Sequence, residues 1–417
     1  MTIGRPTSLA GRRPFHNRPL LVAFAAVENK LWGPDWPEVR AQWPIDPAVA
    51  HLNHGSFGAV PTPVLEAQDW LRQQTEADPT GFFWWILPDA LDRARREAAA
   101  FVHADPDGFV FLPNVTTAVN TVLASLQLGP GDEILLSDHV YGALRLAAER
   151  IGRLTGVSVT VNPVPLPAEG PDELTASVLA GVTSQTRLAI VEHIASPTAL
   201  VFPIGDIVAG LREAGVPSLV DAAHGPGMLD IDVAALAPDF WTGNLHKWCC
   251  APRGAAGFFV AEEHRERTVP LVTSWEAPKG FVPSFSWLGT TDYTAYLSVP
   301  AALAFMGRLG WDRVRRHNRE LAALGRDIVR QAIGGRAEWS EGDGLFEAMT
   351  LVALPQGVVT SMDSGNAISQ RLARGHRIEA AIFPWRDRGF LRLSAQAYNA
   401  PEEYERLGAA LVALLRS

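Results

Sequence analysis

The sequence predicts an α/β protein: a mostly parallel sheet with helices on both faces, then a smaller α+β unit toward the C-terminus. Three observations carry this. Short apolar runs of strand type alternate with amphipathic helical stretches as far as "AAGFFVA" at 255–261, the alternation that builds a parallel sheet. After about residue 300 the pattern changes to long helical stretches followed by short strands. The chain has 417 residues, 47% apolar and 19% charged, which suits two ordinary domains or one large α/β unit. The expected division is an N-terminal arm at 1–50, a large domain at 51–295 and a small domain at 296–417.

The elements follow in order. "FVFL" (109–112) reads as a strand, and "TTAVNTVLASLQL" (116–128) as a helix with Val119, Val122, Leu123 and Leu126 on one face. "GPGDEILLSD" is a turn and a strand, "YGALRLAAERIGRL" an amphipathic helix, and "VSVTVNPVPL" a strand. "TRLAIVEHI" (186–194) and "PSLVDAA" (217–223) are buried-type strands with the helical "IGDIVAGLREAG" between them. Beyond residue 298, "VPAALAFMGRLGWDRVRRHNRELAALGRDIVRQA" is helical, "FEAMTLVAL" and "GFLRLSA" are strands, and "PEEYERLGAALVALLR" is a final helix.

Composition narrows the function. A net charge of −9 argues against a nucleic-acid partner. No apolar run approaches the roughly 20 residues that cross a bilayer. The two cysteines, Cys249 and Cys250, are adjacent and offer no disulfide framework, which fits a reducing, cytoplasmic setting. No metal centre is expected, because His246, Cys249 and Cys250 lack a second ligand cluster. At the N-terminus, Arg12 and Arg13 precede an apolar stretch in the manner of a twin-arginine export signal. The apolar run from Leu20 to Val27 is short, however, and Glu28 and Lys30 follow at once, which favours an arm packed on the body or on a partner subunit.

Working residues in parallel sheets sit at the carboxyl ends of strands, and three features fall there. "LPNVTTAVN" ends a strand and opens a helix, whose free N–H groups and positive dipole end suit a phosphate, with Thr116 and Thr117 adding hydroxyls; taken alone, these residues favour a plain helix cap at Asn114 or Thr116. Asp221 closes "PSLVDAAH", where a buried carboxylate wants a cation, either a salt-bridge partner or a protonated pyridine nitrogen. Lys247 lies among Trp, Cys, Pro and Phe in "DFWTGNLHKWCCAPRGAAGFF". It either extends its tip to solvent or is held with a lowered pKa to form a Schiff base. Phosphate cup, pyridinium carboxylate and Schiff-base lysine together are what pyridoxal 5'-phosphate requires.

With these residues in place the chain resembles the aminotransferase class V enzymes, pyridoxal-phosphate proteins of fold type I, and within them the isopenicillin N epimerase-like branch. The motifs that carry the resemblance are "HLNHGSFGAVP" (51–61), "LPNVTTAVN" (112–120), "LSDHVYGA" (136–143), "EHIASPTALVFPI" (192–204), "VDAAHGPGML" (220–229), "FWTGNLHKWCCAPRGAAGF" (240–258), "SWLGTTDYTAYLSVP" (286–300) and "LRLSAQAYN" (391–399). The resemblance implies that Lys247 carries the cofactor and that Asp221 pairs its ring nitrogen. His224 would lie near its phenolic oxygen. Thr116, the Val115 amide, Asn244 and His246 would cup its phosphate. Tyr141 or His139 would stack on the ring, Tyr141 being favoured. Ser196 stands where class V desulfurases usually place an Asn against the cofactor. Thr290 would reach the phosphate of a neighbouring subunit in a homodimer. Arg392 would fork onto a substrate α-carboxylate, with Asn53 and His54 in a Gly-rich loop beside it.

Two departures bear on the reaction. Desulfurases carry a persulfide-forming Cys upstream of the carboxylate arginine, and here "RIEAAIFPWRDRGF" has none. Close epimerase relatives are expected to have basic residues where this chain has Trp84 and Trp85, which implies a more apolar or aromatic substrate. The expected activity is therefore chemistry at Cα of an amino acid, epimerase-like, with Cβ (carbon–sulfur) lysis and transamination as alternatives. A non-catalytic ligand-binding scaffold of the same fold would have no need of a buried amine.

Overall fold

A computed structural model describes residues 36–335 and 345–415. The paired arginines at 12 and 13 lie outside them. A two-residue strand, β1 (Ala50–His51), precedes the Gly-rich loop. The central sheet then takes seven strands: β2 (Phe109–Leu112), β3 (Glu133–Ser137), β4 (Ser158–Asn162), β5 (Thr186–Glu192), β6 (Ser218–Asp221), β7 (Phe240–Asn244) and β8 (Ala256–Val260), in spatial order β2-β8-β7-β6-β5-β3-β4. Only β8 runs against its neighbours. A second, antiparallel sheet joins β9 (Met349–Ala353), β11 (Ala381–Trp385) and β12 (Arg388–Ser394) in the order β11-β12-β9. Between them in sequence, β10 (Ile378–Glu379) pairs in parallel with β1, so the entry to the Gly-rich loop is tied to the C-terminal region.

Both faces of the central sheet are buried, as the continuous apolar strands require. Leu135, Ala189, Val191, Val220 and Trp241 share one apolar cluster. Ile134, Leu136, Leu188, Ile190, Leu219 and Phe240 share another. The side chains thus divide between two layers with the period of two that a strand imposes.

Two differences from the sequence reading have physical causes, one local and one long-range. The helical stretch after residue 298 is two helices, Val299–Leu309 and Trp311–Ala332, because Gly310 adopts φ +86° and breaks the run. β7 and β11 are strands that the pattern did not mark. "FWTGN" carries a Gly and an Asn, and "AIFPW" a Pro, residues that weaken a strand signal; long-range pairing to β6, β8 and β12 holds them extended.

Candidate active site

The carboxyl ends of β2, β6 and β7 and the Gly-rich loop enclose a cavity of about 480 Å³. Its wall includes Ser56, Phe57, Val115, Thr116, Tyr141, Ser196, Asp221, Asn244, His246, Lys247, Arg253 and Arg392. Residues more than 300 positions apart in sequence meet here.

At one end lies the start of the helix Val115–Ser125. Asn114 caps it, its Oδ1 accepting the Thr117 N–H at 2.9 Å. Asn244, at the end of β7, accepts the Val115 N–H on its Oδ1 at 3.1 Å. The Val115 amide expected to cup a phosphate is therefore already committed, because the asparagine brought beside it by the β7–helix packing is the nearer acceptor. The Thr116 N–H has no partner among the described residues and sits in the cavity wall with its hydroxyl. The His246 Nδ1–H donates to the Ala255 carbonyl at 2.9 Å. Burial, with the Lys247 and Arg253 charges, pushes the His246 pKa down to about 4.

Asp221 ends β6. Its Oδ1 accepts the Ala223 N–H at 2.8 Å, while Oδ2 has no partner among the described residues. Burial raises its pKa to about 6, against the Ala223 hydrogen bond and the Lys247 charge, which lower it. A desolvated carboxylate with one free oxygen facing a cavity is a site for a cation. Beside it in register on β5 is Glu192. Glu192 accepts the Ser137 hydroxyl on Oε2 at 2.7 Å, and its other oxygen is buried without a partner. Burial first, and the neighbouring Asp221, raise its pKa to about 8.

Lys247 Nζ lies 3.0 Å from His224 Nε2. The Trp248 indole N–H, which can only donate, points at His224 Nδ1 at 3.4 Å. A neutral His224 therefore carries its hydrogen on Nε2 and donates it to Nζ, so the lysine accepts as a neutral amine. The electrostatics agree. Burial and the Arg392 charge lower Lys247 to about 7, only partly opposed by Asp221, and burial holds His224 well below its ordinary value. His224 thus meets the lysine nitrogen directly.

Arg392, on β12, is almost wholly buried and has no carboxylate partner among the described residues. Its Nη1 donates to the Ser196 carbonyl and, at 3.2 Å, to the Ser196 hydroxyl. Its Nη2 donates to Ser56 Oγ at 2.7 Å and to Asn53 Oδ1 at 3.4 Å. A buried guanidinium held only by neutral acceptors lacks a counter-ion, and burial lowers its pKa to about 10. Asn53 reaches the site through Arg392.

Other expected residues lie elsewhere. His54 does not line the cavity. It is fully buried behind it, with Nε2 against the Lys247 carbonyl at 3.0 Å and Nδ1 against the Tyr398 hydroxyl at 2.8 Å. Its contact is with the lysine's backbone, because the tight Gly-rich turn directs it inward. His139 is also fully buried, bonded to Thr198 Oγ1 and the Val164 carbonyl, whereas Tyr141 stands in the cavity wall. Thr290 is exposed and outside the cavity of its own chain. Trp84 lines a different cavity of about 440 Å³ with Trp275 and Trp287, and no residue of that wall belongs to the first. Ser56 and Arg253 were missed in the sequence. Their signal was position alone, inside the "HGSFG" loop and six residues after Lys247.

A clustered trio, Asp239, Glu263 and His264, lies outside the cavity. Its Asp239 is already bonded to His264 at 2.7 Å and to the Ser218 N–H at 2.8 Å. Among the described residues no helix is long and apolar enough to cross a membrane.

The donor set fits pyridoxal phosphate on structural grounds alone. The cavity offers an open N–H and hydroxyl at a helix start, a carboxylate with a free oxygen, and a neutral buried amine. Comparison with known proteins agrees. Residues 85–407 match the family model "Aminotransferase class-V". The chain is similar to isopenicillin N epimerase of Amycolatopsis lactamdurans, 36% identical over 394 residues that cover 90% of this chain and 98% of that one. It is also similar to a probable chloroplastic L-cysteine desulfhydrase of Arabidopsis thaliana, 31% identical over 411 residues, 89% of this chain and 84% of that one. Its fold is that of the cystine C–S lyase C-DES in complex with its product cysteine persulfide, with a TM-score of 0.75 at 22% identity, covering 89% of this chain and 99% of that one. The chain is a pyridoxal-phosphate-dependent enzyme of fold type I and belongs to the aminotransferase class V family.

Proposed function

We propose that this enzyme acts at Cα of an amino acid and that its reaction is epimerase-like. The observation that carries the reading is the neutral Lys247 amine, 3.0 Å from His224 and inside a wall that also holds Asp221 and Arg392. When bound, the cofactor supplies an aldehyde for an amine and a ring that takes up the charge left when a Cα bond breaks. Asp221 would pair the ring nitrogen. Thr116 and Asn244 would hold the phosphate, and Tyr141 would lie against the ring. Arg392 would take the substrate α-carboxylate in a two-pronged grip, which would orient the bonds at Cα. Lys247, its pKa lowered to about 7 by burial and the Arg392 charge, would take the Cα proton.

The likeness to isopenicillin N epimerase supports inversion at Cα. The likeness to L-cysteine desulfhydrases supports a second reading, carbon–sulfur lysis, which begins with the same proton removal. A cysteine-borne persulfide is disfavoured, since both cysteines are fully buried and burial raises their thiol pKa. We also propose a homodimer, in which the exposed Thr290 would serve the partner's phosphate.

The test is a panel of amino acids incubated with the loaded enzyme in deuterium oxide. Deuterium at Cα with inverted configuration supports the epimerase reading. Sulfide and pyruvate from cysteine support the lyase. Absence of Cα exchange with every amino acid would refute both.

A further inference from the structure

The cavity's charges do not balance around the phosphate. Thr116 offers an N–H and a hydroxyl, Asn244 a side-chain amide, and all are neutral. His246 has its Nδ1–H committed to the Ala255 carbonyl, and its pKa is depressed by burial. Lys247 is committed toward His224, and Arg392 lies between Ser56 and Ser196. One cation in the wall remains, Arg253. It stands at the turn into β8, beside Gly254 and Ala255, and Ala255 is the residue whose carbonyl holds His246. Its one hydrogen bond among the described residues is long, from Nη2 to the Gly58 carbonyl at 3.3 Å, and it has no carboxylate partner among them. It also lies close enough to His51, His54 and His246 to repel a proton from each.

We infer that Arg253 is the cationic partner of the cofactor's phosphate. A phosphate dianion held in this cavity would meet the Arg253 guanidinium in the same wall as the neutral donors of Thr116 and Asn244. A planar fork with several donors suits a phosphate oxygen pair. The inference rests on the cofactor's place in this cavity.

The test isolates the phosphate from the rest of the cofactor. The cofactor-free full chain is titrated with pyridoxamine 5'-phosphate and with pyridoxamine, which lack the aldehyde and bind without a covalent bond, and tryptophan fluorescence is followed. Arg253→Met should weaken pyridoxamine phosphate by about ten- to a hundred-fold and leave pyridoxamine within about two-fold. Arg253→Lys, which keeps the charge but not the fork, should fall between. Equal weakening of both ligands would mean that Arg253 merely holds the Gly58 loop, and would overturn the assignment. An unchanged preference for the phosphorylated ligand would overturn it too. In that case a raised KM for a dicarboxylic amino acid would reassign Arg253 to the substrate. A wild-type chain with no preference for the phosphorylated ligand would remove the phosphate site itself, and the assignment with it.

Discussion

Gly58→Ala places one methyl group where the structure has no room for it. An ideal Cβ at Gly58 would stand 2.4 Å from the His246 carbonyl oxygen, 2.9 Å from that of Lys247 and 3.0 Å from Lys247 Cα. All three are backbone atoms, so no side-chain rotation relieves the clash. Ordinary contact begins near 3.4 Å, so something must move by about 1 Å. The lysine's backbone is itself pinned. Its carbonyl accepts the Cys250 N–H at 2.9 Å and lies 3.0 Å from His54 Nε2. Behind it, Gly227 leaves a built Cβ only 2.6 Å from the Trp248 carbonyl. Either Lys247 shifts against these bonds or the loop lifts, taking Ser56 away from Arg392. Overpacking of this kind costs about 1–3 kcal/mol, and a catalytic group misplaced by about 1 Å loses on the order of 10²-fold in rate. The assays are thermal melting and the rate of Cα–H exchange. Gly129→Ala serves as the control, since a Cβ there meets nothing within 4 Å. A Gly58→Ala protein that melts and exchanges like wild type would refute the claim that this glycine sets the lysine's position.

Three further outcomes follow from the same geometry. Lys247→Ala should abolish Cα exchange yet still bind the cofactor without a covalent bond; borohydride reduction should fix the cofactor to wild type at Lys247, and fixation at Lys30 or Lys279 instead would refute the role. Asp221→Asn should raise stability without cofactor and lower activity with it. In the cofactor-free chain the carboxyl's pKa is raised from 3.8 to about 6, so the stability it contributes is present at low pH and lost as pH rises through that window, on the order of 3 kcal/mol by pH 7. The Asn variant should therefore melt higher than wild type at pH 7 without cofactor, and lose activity by ~10²-fold or more with it; melting scans at pH 4 and pH 7 check the sign. Arg392→Lys should raise KM for amino acids and lower kcat while cofactor binding stays within about two-fold, because ammonium keeps the charge but cannot hold both carboxylate oxygens; unchanged kinetics with a lowered Tm would make Arg392 structural.

Much of the architecture was legible because it is local. Strands such as "FVFL" and "TRLAIVE" and helices such as "GALRLAAERIGRL" announce themselves by periodicity and by their flanking turns. The order of the working groups was legible too. Thr116 and Asp221 follow strand ends that the pattern marks, Lys247 follows β7, which it does not, and a parallel sheet gathers its strand ends on one edge. What each polar group touches was not legible, because a hydrogen bond is short in space and unconstrained in sequence. His54, His139 and His224 are the same residue type and all fully buried, yet one meets a backbone carbonyl, one a core threonine and one the lysine nitrogen. The Val115 amide was open by helix geometry and was taken by an acceptor 129 residues away. Arg392 found Ser56 across 336 residues and Ser196 across 196. The sequence determined which groups were available at the strand ends; tertiary packing decided which of them remained free to face a ligand.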